Sequence, residues 1–135
     1  MKLPPEAEAR RWLDQASVDL HWAEHLAQEG GFHLACFLAQ QVGGKALKAY
    51  LYFRGEELVL GHSVDRLAVQ CEGFDPAFGE QRPKWSVLDA YYVATRYPNA
   101  LPDSIPARIF DRGTAERAVG LAREIVTFVE ARVQP

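Results

Sequence analysis

The order of apolar and polar positions along the chain is that of a helical protein. Leu13, Ala16, Leu20, Ala23 and Ala27 recur at alternating spacings of three and four, so they share one face of a helix. Gly30 and Gly31 follow, where a left-handed cap ends such a helix. The rhythm resumes at Phe32, Ala35, Ala39, Val42, Ala46, Ala49 and Phe53, widened by Cys36, Leu38 and Tyr50, and predicts a second helix over 32–53 in contact on more than one side. The stretch "RGEELVLG" reads as a connection, and Ser63 as the cap of a short third helix carrying Val64, Leu67, Ala68 and Cys71. Two glycines and two prolines in "GFDPAFGEQRP" predict a loop. A fourth helix is expected near 84–96 with Trp85, Leu88 and Tyr92. A fifth, capped by Asp111 or Thr114, is expected to run to about Val133 with Ala115, Ala118, Ala122, Ile125 and Val129 inward. No segment alternates as a strand does. The expected fold is all-α, an antiparallel up-and-down bundle of about five helices with one extended proline-rich segment, folded as one domain over 1–135.

Two places break the local rules. Gly43 and Gly44 sit in the middle of the second helix, where each costs roughly 1 kcal/mol relative to alanine. Close approach of a neighbouring helix or of a second subunit is the physical reason expected for them. The other place is "LDAYYVATRYPNALPDSIP", residues 88–106. Pro98 disfavours a helical Tyr97 and stops the fourth helix there, and Pro102 and Pro106 are expected to keep the chain extended. Arg96, in the last helical turn, suits the carbonyl end of the dipole. Its planar donor fork also matches phosphate, beside a groove lined by Tyr91, Tyr92 and Tyr97. Tyr92 fits the buried stripe, so Tyr91 and Tyr97 are the tyrosines expected to be exposed.

Composition narrows the chemistry. The chain has 135 residues, a net charge of -3 and 48% hydrophobic residues, so any contact with nucleic acid has to be local rather than global. No apolar run resembles a signal peptide or a membrane span, which leads to an expectation of a cytoplasmic protein without membrane contact. Cys36 and Cys71 are expected to be free buried thiols. "HWAEH", residues 21–25, has the spacing of a zinc peptidase helix. Leu20, Ala23 and Ala27 claim the buried face, however, leaving His21, Glu24 and His25 toward water with no third ligand, so no metal is expected. Lys45 and Lys48 lie on the polar side of the second helix, solvated or available to a phosphate. Phosphate-binding loops, dinucleotide turns, nucleophile elbows and calcium loops are absent from the sequence, and no cofactor is expected.

The segment from "WLDQASVDLHWAEHL" through "ACFLAQQ", "KALKAY" and the "HS" at 62–63, followed by "LDAYYVATRYPNALP" and an amphipathic last helix, resembles the HEPN domain family from about Trp12 to Val129. The resemblance implies a helical bundle, homodimers, frequent pairing with a minimal nucleotidyltransferase encoded nearby, and nucleotide-binding or toxin-antitoxin roles. Ribonucleases of the family carry an arginine followed after four to six residues by a histidine, which moves a proton while the arginine steadies the phosphate. This chain departs from that motif. No histidine follows His62, and the nearest approach is Arg54 to His62 with seven residues between. Gly44 stands where relatives often carry an acidic residue.

These readings converge on a binding module rather than an enzyme. Its site is placed at Arg96, Tyr97 and Tyr91 with His62, Lys45 and Lys48, and it would receive a nucleotide, an RNA end or a nucleotidyltransferase partner. The alternatives are a metal-independent ribonuclease toxin pairing Arg54 or Arg96 with His62, and a non-catalytic scaffold in which Arg96 and Tyr97 only anchor the proline segment.

Overall fold

A computed structural model describes residues 2–134 and is all-helical, with no strand among the described residues. Helix α1 spans Pro5–Glu29 and α2 spans Phe32–Phe53. The predicted cap joins them: Gly30 takes φ 94°, and the Gly31 N–H donates to the Leu26 carbonyl at 2.8 Å. Helix α7, Arg112–Glu130, completes the main bundle, its first turn capped by the Asp111 side chain, which accepts from the Thr114 N–H. Arg10 near the start of α1 pairs with Glu130 at the end of α7, and Arg112 at the start of α7 reaches the Ala27 carbonyl near the end of α1. The two helices therefore run antiparallel. α2 is the central element, packed against α1, α7 and α3 (Val64–Glu72), which is why its apolar stripe is so wide. The buried side chains of all these elements form one cluster.

Gly43 is a packing glycine. A Cβ there would lie 3.0 Å from Ile125 Cδ1, 3.2 Å from Leu88 Cδ1 and 3.4 Å from Val64 Cγ2, so three elements close onto this point of α2. The close approach comes from side chains rather than from a second backbone. At Gly44 the neighbours are looser, with Leu67 Cδ1 at 3.8 Å and the His62 carbonyl at 3.9 Å.

The second half of the chain departs from expectation in detail. The segment read as a loop contains α4, Ala77–Trp85. Pro76 precedes the helix, the Asp75 carboxylate accepts from the Ala77 N–H, and Pro83 lies inside, where it forfeits one helical hydrogen bond. Tertiary burial outweighs that loss. Phe78 and Trp85 are both fully buried and stand edge-on to Phe128 of α7 at 5.0 Å each, and burying such side chains is worth about 1.5–3 kcal/mol apiece.

The helix expected near 84–96 is likewise broken. Trp85 ends α4, a 3₁₀ turn covers Ser86–Ala90, and α5 is the single turn Tyr91–Ala94. Tyr97 is extended, at φ -126° and ψ 124°, as its proline neighbour requires. The proline segment is only partly extended. Pro98 opens a 3₁₀ turn, Pro98–Ala100, and Pro106 opens α6, Pro106–Ile109, because proline's fixed φ also suits the first position of a helical turn. None of the described helices is long and apolar enough to cross a membrane.

Candidate functional site

The site is built where the extended connection 56–62 returns to the middle of α2. Val59 is buried and its N–H donates to the Tyr52 hydroxyl, which fixes the connection along the bundle. At its end, the His62 carbonyl accepts from the Gln40 side-chain amide at 2.6 Å, and the His62 ring remains exposed. That ring stacks on Tyr92 with centroids 5.5 Å apart and planes 21° apart.

Arg96 meets the same tyrosine. Its guanidinium carbon lies 4.5 Å from the Tyr92 centroid, 4.6 Å from Phe37 of α2 and 5.2 Å from Tyr97. Its Nε donates to the Tyr92 carbonyl at 2.7 Å, so the capping role is real, yet no carboxylate among the described residues pairs with this cation. Its remaining donors lie in an exposed residue, beside three rings that hold the guanidinium in place.

On the other side of His62 lies a groove of about 170 Å³ between α1 and α2, lined by Trp12, Gln41, Gly44, Lys45, Lys48 and His62. Lys45 spans to Asp19 of α1 at 2.6 Å. Lys48 lies over the Trp12 ring at 5.4 Å and has no carboxylate partner among the described residues. Burial, and secondarily the charge of Lys45, pulls the Lys48 ammonium below its ordinary pKa. The absence of a side chain at Gly44 leaves the floor of this groove free beside the His62 carbonyl.

Of the residues singled out in the sequence, the fold gathers His62, Lys45 and Lys48 around one groove, with Arg96 and Tyr97 adjoining through Tyr92. Tyr91 stands apart. It packs edge-on against Phe110 and joins the core, and burial raises its phenol pKa. Tyr92 is the tyrosine that meets both His62 and Arg96, although it is half-buried like Tyr91, and Tyr97 alone of the three is exposed as expected. Arg54 is also elsewhere. It ends α2, ten residues beyond Gly44 or about 15 Å along the axis, with its guanidinium 5.1 Å over the exposed Phe74 ring. It does not meet His62. His21 and His25 stand edge-on to the exposed Trp22, and among the described residues no group of three His, Cys, Asp or Glu side chains is placed to hold a metal.

Sequence reasoning missed four members of this arrangement: Trp12, Phe37, Gln40 and Asp89. The signal for Gln40 was present, a polar residue on the buried stripe of α2 where its neighbours Ala39 and Val42 are apolar. Asp89 gave no such signal, because its role depends on a 3₁₀ turn that periodicity does not reveal.

The HEPN domain model matches residues 9–132 of this chain. Among solved structures, the chain is similar to TT1696 from Thermus thermophilus, at 37% identity and a TM-score of 0.77 over 92% of this chain and 97% of that one. It is also similar to ST0689, an archaeal HEPN homologue, at 29% identity and a TM-score of 0.71 over 99% of this chain and 100% of that one. No curated protein matches it.

Proposed function

The chain belongs to the HEPN domain family, and from that premise we propose that it is a nucleotide-binding interaction module, acting as a homodimer beside a minimal nucleotidyltransferase in a toxin-antitoxin-like pair. The observation that carries the binding role is the single face on which two cations without carboxylate partners, Arg96 and Lys48, flank His62 among the rings of Tyr92, Tyr97 and Trp12. A guanidinium fork and an ammonium suit phosphate oxygens, and the exposed Tyr97 ring suits a base. The groove is too small to enclose a whole nucleotide, so the phosphates would sit between His62 and Lys48 while the base lies outside on Tyr97.

Titration calorimetry with nucleotides and short RNAs tests this reading, with the RNAs run on a gel afterwards. Saturable binding that weakens about tenfold or more in Arg96→Ala and in Lys48→Ala, with RNA intact, is expected, since a charge-assisted hydrogen bond is worth about 1.5–3 kcal/mol. Binding unchanged by both substitutions, or no binding at all, would overturn it. Sedimentation of the protein alone and after co-expression with a neighbouring nucleotidyltransferase tests the dimer and the partner.

One observation favours the ribonuclease reading as the alternative. His62 and Arg96 flank the same Tyr92 ring, an Arg/His pair assembled by the fold in reverse chain order. His62 would accept the proton of a ribose 2′-hydroxyl as that oxygen bonds to phosphorus. The 5′-oxygen would leave with a proton from water, and Arg96 would hold the phosphate oxygens. Cleaved RNA in the same gel, lost in His62→Ala, would select this reading.

A further inference from the structure

Beside His62 and Tyr92 lies a polar knot centred on Gln40 and Asp89. Gln40 is only 1% exposed, on the otherwise apolar buried face of α2. Its Nε2 donates both to the His62 carbonyl at 2.6 Å and to Asp89 Oδ1 at 3.1 Å, while its carbonyl oxygen accepts from Gln41 at 2.8 Å. Asp89 in turn accepts from the Val64 N–H at 2.8 Å, the Asp65 N–H at 3.0 Å and the Ser63 hydroxyl at 2.9 Å. Four donors from two elements thus converge on one carboxylate without a cation. The Ser63 hydroxyl accepts only from the Arg66 N–H, at 3.1 Å, so Asp89 completes the cap of α3 by taking the Val64 and Asp65 N–H groups.

The placement gives this cap a second consequence. His62 immediately precedes the capped residues, and Tyr92 lies three residues beyond Asp89, so Gln40 on α2 holds the His62 backbone directly and reaches Tyr92 through the Asp89 side chain one turn before it. Polar groups taken from water for this purpose gain little stability over an apolar contact, but they fix one geometry because each donor has one acceptor.

We infer that Gln40 and Asp89 are the positioning residues of this site, joining α2, the start of α3 and the turn before α5 so that His62 and Tyr92 stay stacked. The inference rests on the binding site proposed above for its functional meaning, and on the stack alone for its test.

That test is the His62 ring resonance in the full chain, assigned by loss in His62→Ala. The Tyr92 ring, its centroid 5.5 Å from that of His62, is expected to shift that resonance by its ring current away from the position it takes in Tyr92→Ala. In Gln40→Leu, and independently in Asp89→Asn, which turns one acceptor oxygen into a donor facing donors, the resonance is expected to move to the position of an unstacked histidine. Affinity for ADP, used as the probe, is expected to fall at least fivefold in the same variants. Arg132→Ala is the control for mere loosening. It removes the Asp75 pair and the Phe128 stack elsewhere in the bundle, lowers the melting temperature, and should leave His62 and ADP affinity unchanged. A His62 resonance that stays in place in both folded variants, or that moves equally in Arg132→Ala, overturns the positioning role. If the resonance moves but wild type does not bind ADP, the positioning role stands and the nucleotide reading loses its support.

Discussion

The methyl carbon Cδ1 of Ile125 on α7 stands 3.0 Å from the point where a Cβ on Gly43 of α2 would lie, while no such contact at the next residue, Gly44, is shorter than 3.8 Å. Two adjacent glycines with the same helical cost therefore have opposite prospects. Gly44→Ala gains helix propensity at ordinary van der Waals distances and should stabilise by about 0.5–1 kcal/mol. Gly43→Ala gains the same propensity but forces Ile125, Leu88 and Val64 apart, and overpacking of this kind costs about 1–3 kcal/mol. The net effect expected for Gly43→Ala is a loss of up to about 2 kcal/mol by urea denaturation. Equal stabilisation by both substitutions would show that α7 does not press on this position.

The bidentate pair between Arg10 and Glu130 ties the start of α1 to the end of α7, and it predicts a pH dependence with a definite sign. Hydrogen bonding to Arg10 holds the Glu130 carboxyl below its ordinary value of 4.5, against the opposing effect of partial burial. A depressed folded pKa contributes stability above the unfolded value and loses it as pH falls through the folded one. With the two side chains 47% and 39% exposed, the pair is screened by water. Glu130→Gln should then cost no more than about 1 kcal/mol at pH 7, a few degrees of melting temperature. Thermal scans of both proteins should converge well below pH 4.5 and again in high salt. A gap that persists in acid would assign the loss to packing rather than to charge.

The particular residues show why some of this was legible in the sequence. Long helices announced themselves, because Leu13 through Ala27 and Ala115 through Val129 repeat a period that only a buried helical face requires. The region 74–97 did not. Its helix α4 contains a proline and is held by Phe78 and Trp85 packing onto Phe128, a contact between residues far apart in the chain. The site was half legible for the same reason. Arg96, His62, Lys45 and Lys48 could be named by chemical type, but their common face depends on where the 56–62 connection returns to α2. That Tyr91 as well as Tyr92 is half-buried follows from the break of the expected helix by the 3₁₀ turn before them, which rotates the pair relative to a continuous α-helix.

Cys36 and Cys71 are both fully buried, and burial governs their reactivity. Desolvation, with the charge of Asp111 second, pushes the Cys36 thiol up to about 11, and desolvation raises Cys71, whose sulfur also contacts the Leu47 carbonyl at 3.6 Å. The thiolate is the nucleophile, so at pH 7 fewer than about one molecule in a thousand presents one at either position. A disulfide reagent should label neither thiol in the native protein on the timescale of minutes and both at once in denaturant. Labelling of the native protein, when followed for hours, should track opening of the bundle and accelerate in a destabilised variant such as Gly43→Ala. A thiol that reacts within seconds under native conditions would contradict its burial.

Lys48 gives the proposed anion site an alkaline limit. Its folded pKa is lowered from 10.5 by burial first and by the neighbouring charge of Lys45 second, with Asp19 committed to Lys45 rather than to it. The ammonium attracts phosphate fully below its folded pKa and loses that attraction as pH rises through it, so the lowered value starts the loss earlier than at an ordinary lysine. The phosphate cannot produce this effect, since its own last ionisation lies near 6 and is complete before the window opens. Affinity for ADP, followed by calorimetry as pH is raised above neutrality, should therefore decline in the wild type, by about tenfold or more once the ammonium is neutral, the worth of one charge-assisted hydrogen bond. Lys48→Arg should remove that decline, because a guanidinium stays charged throughout the range, while Lys48→Met should bind weakly from the outset and show no such slope. Parallel alkaline profiles for wild type and Lys48→Arg would place the phosphate away from Lys48, nearer Arg96 and the tyrosines.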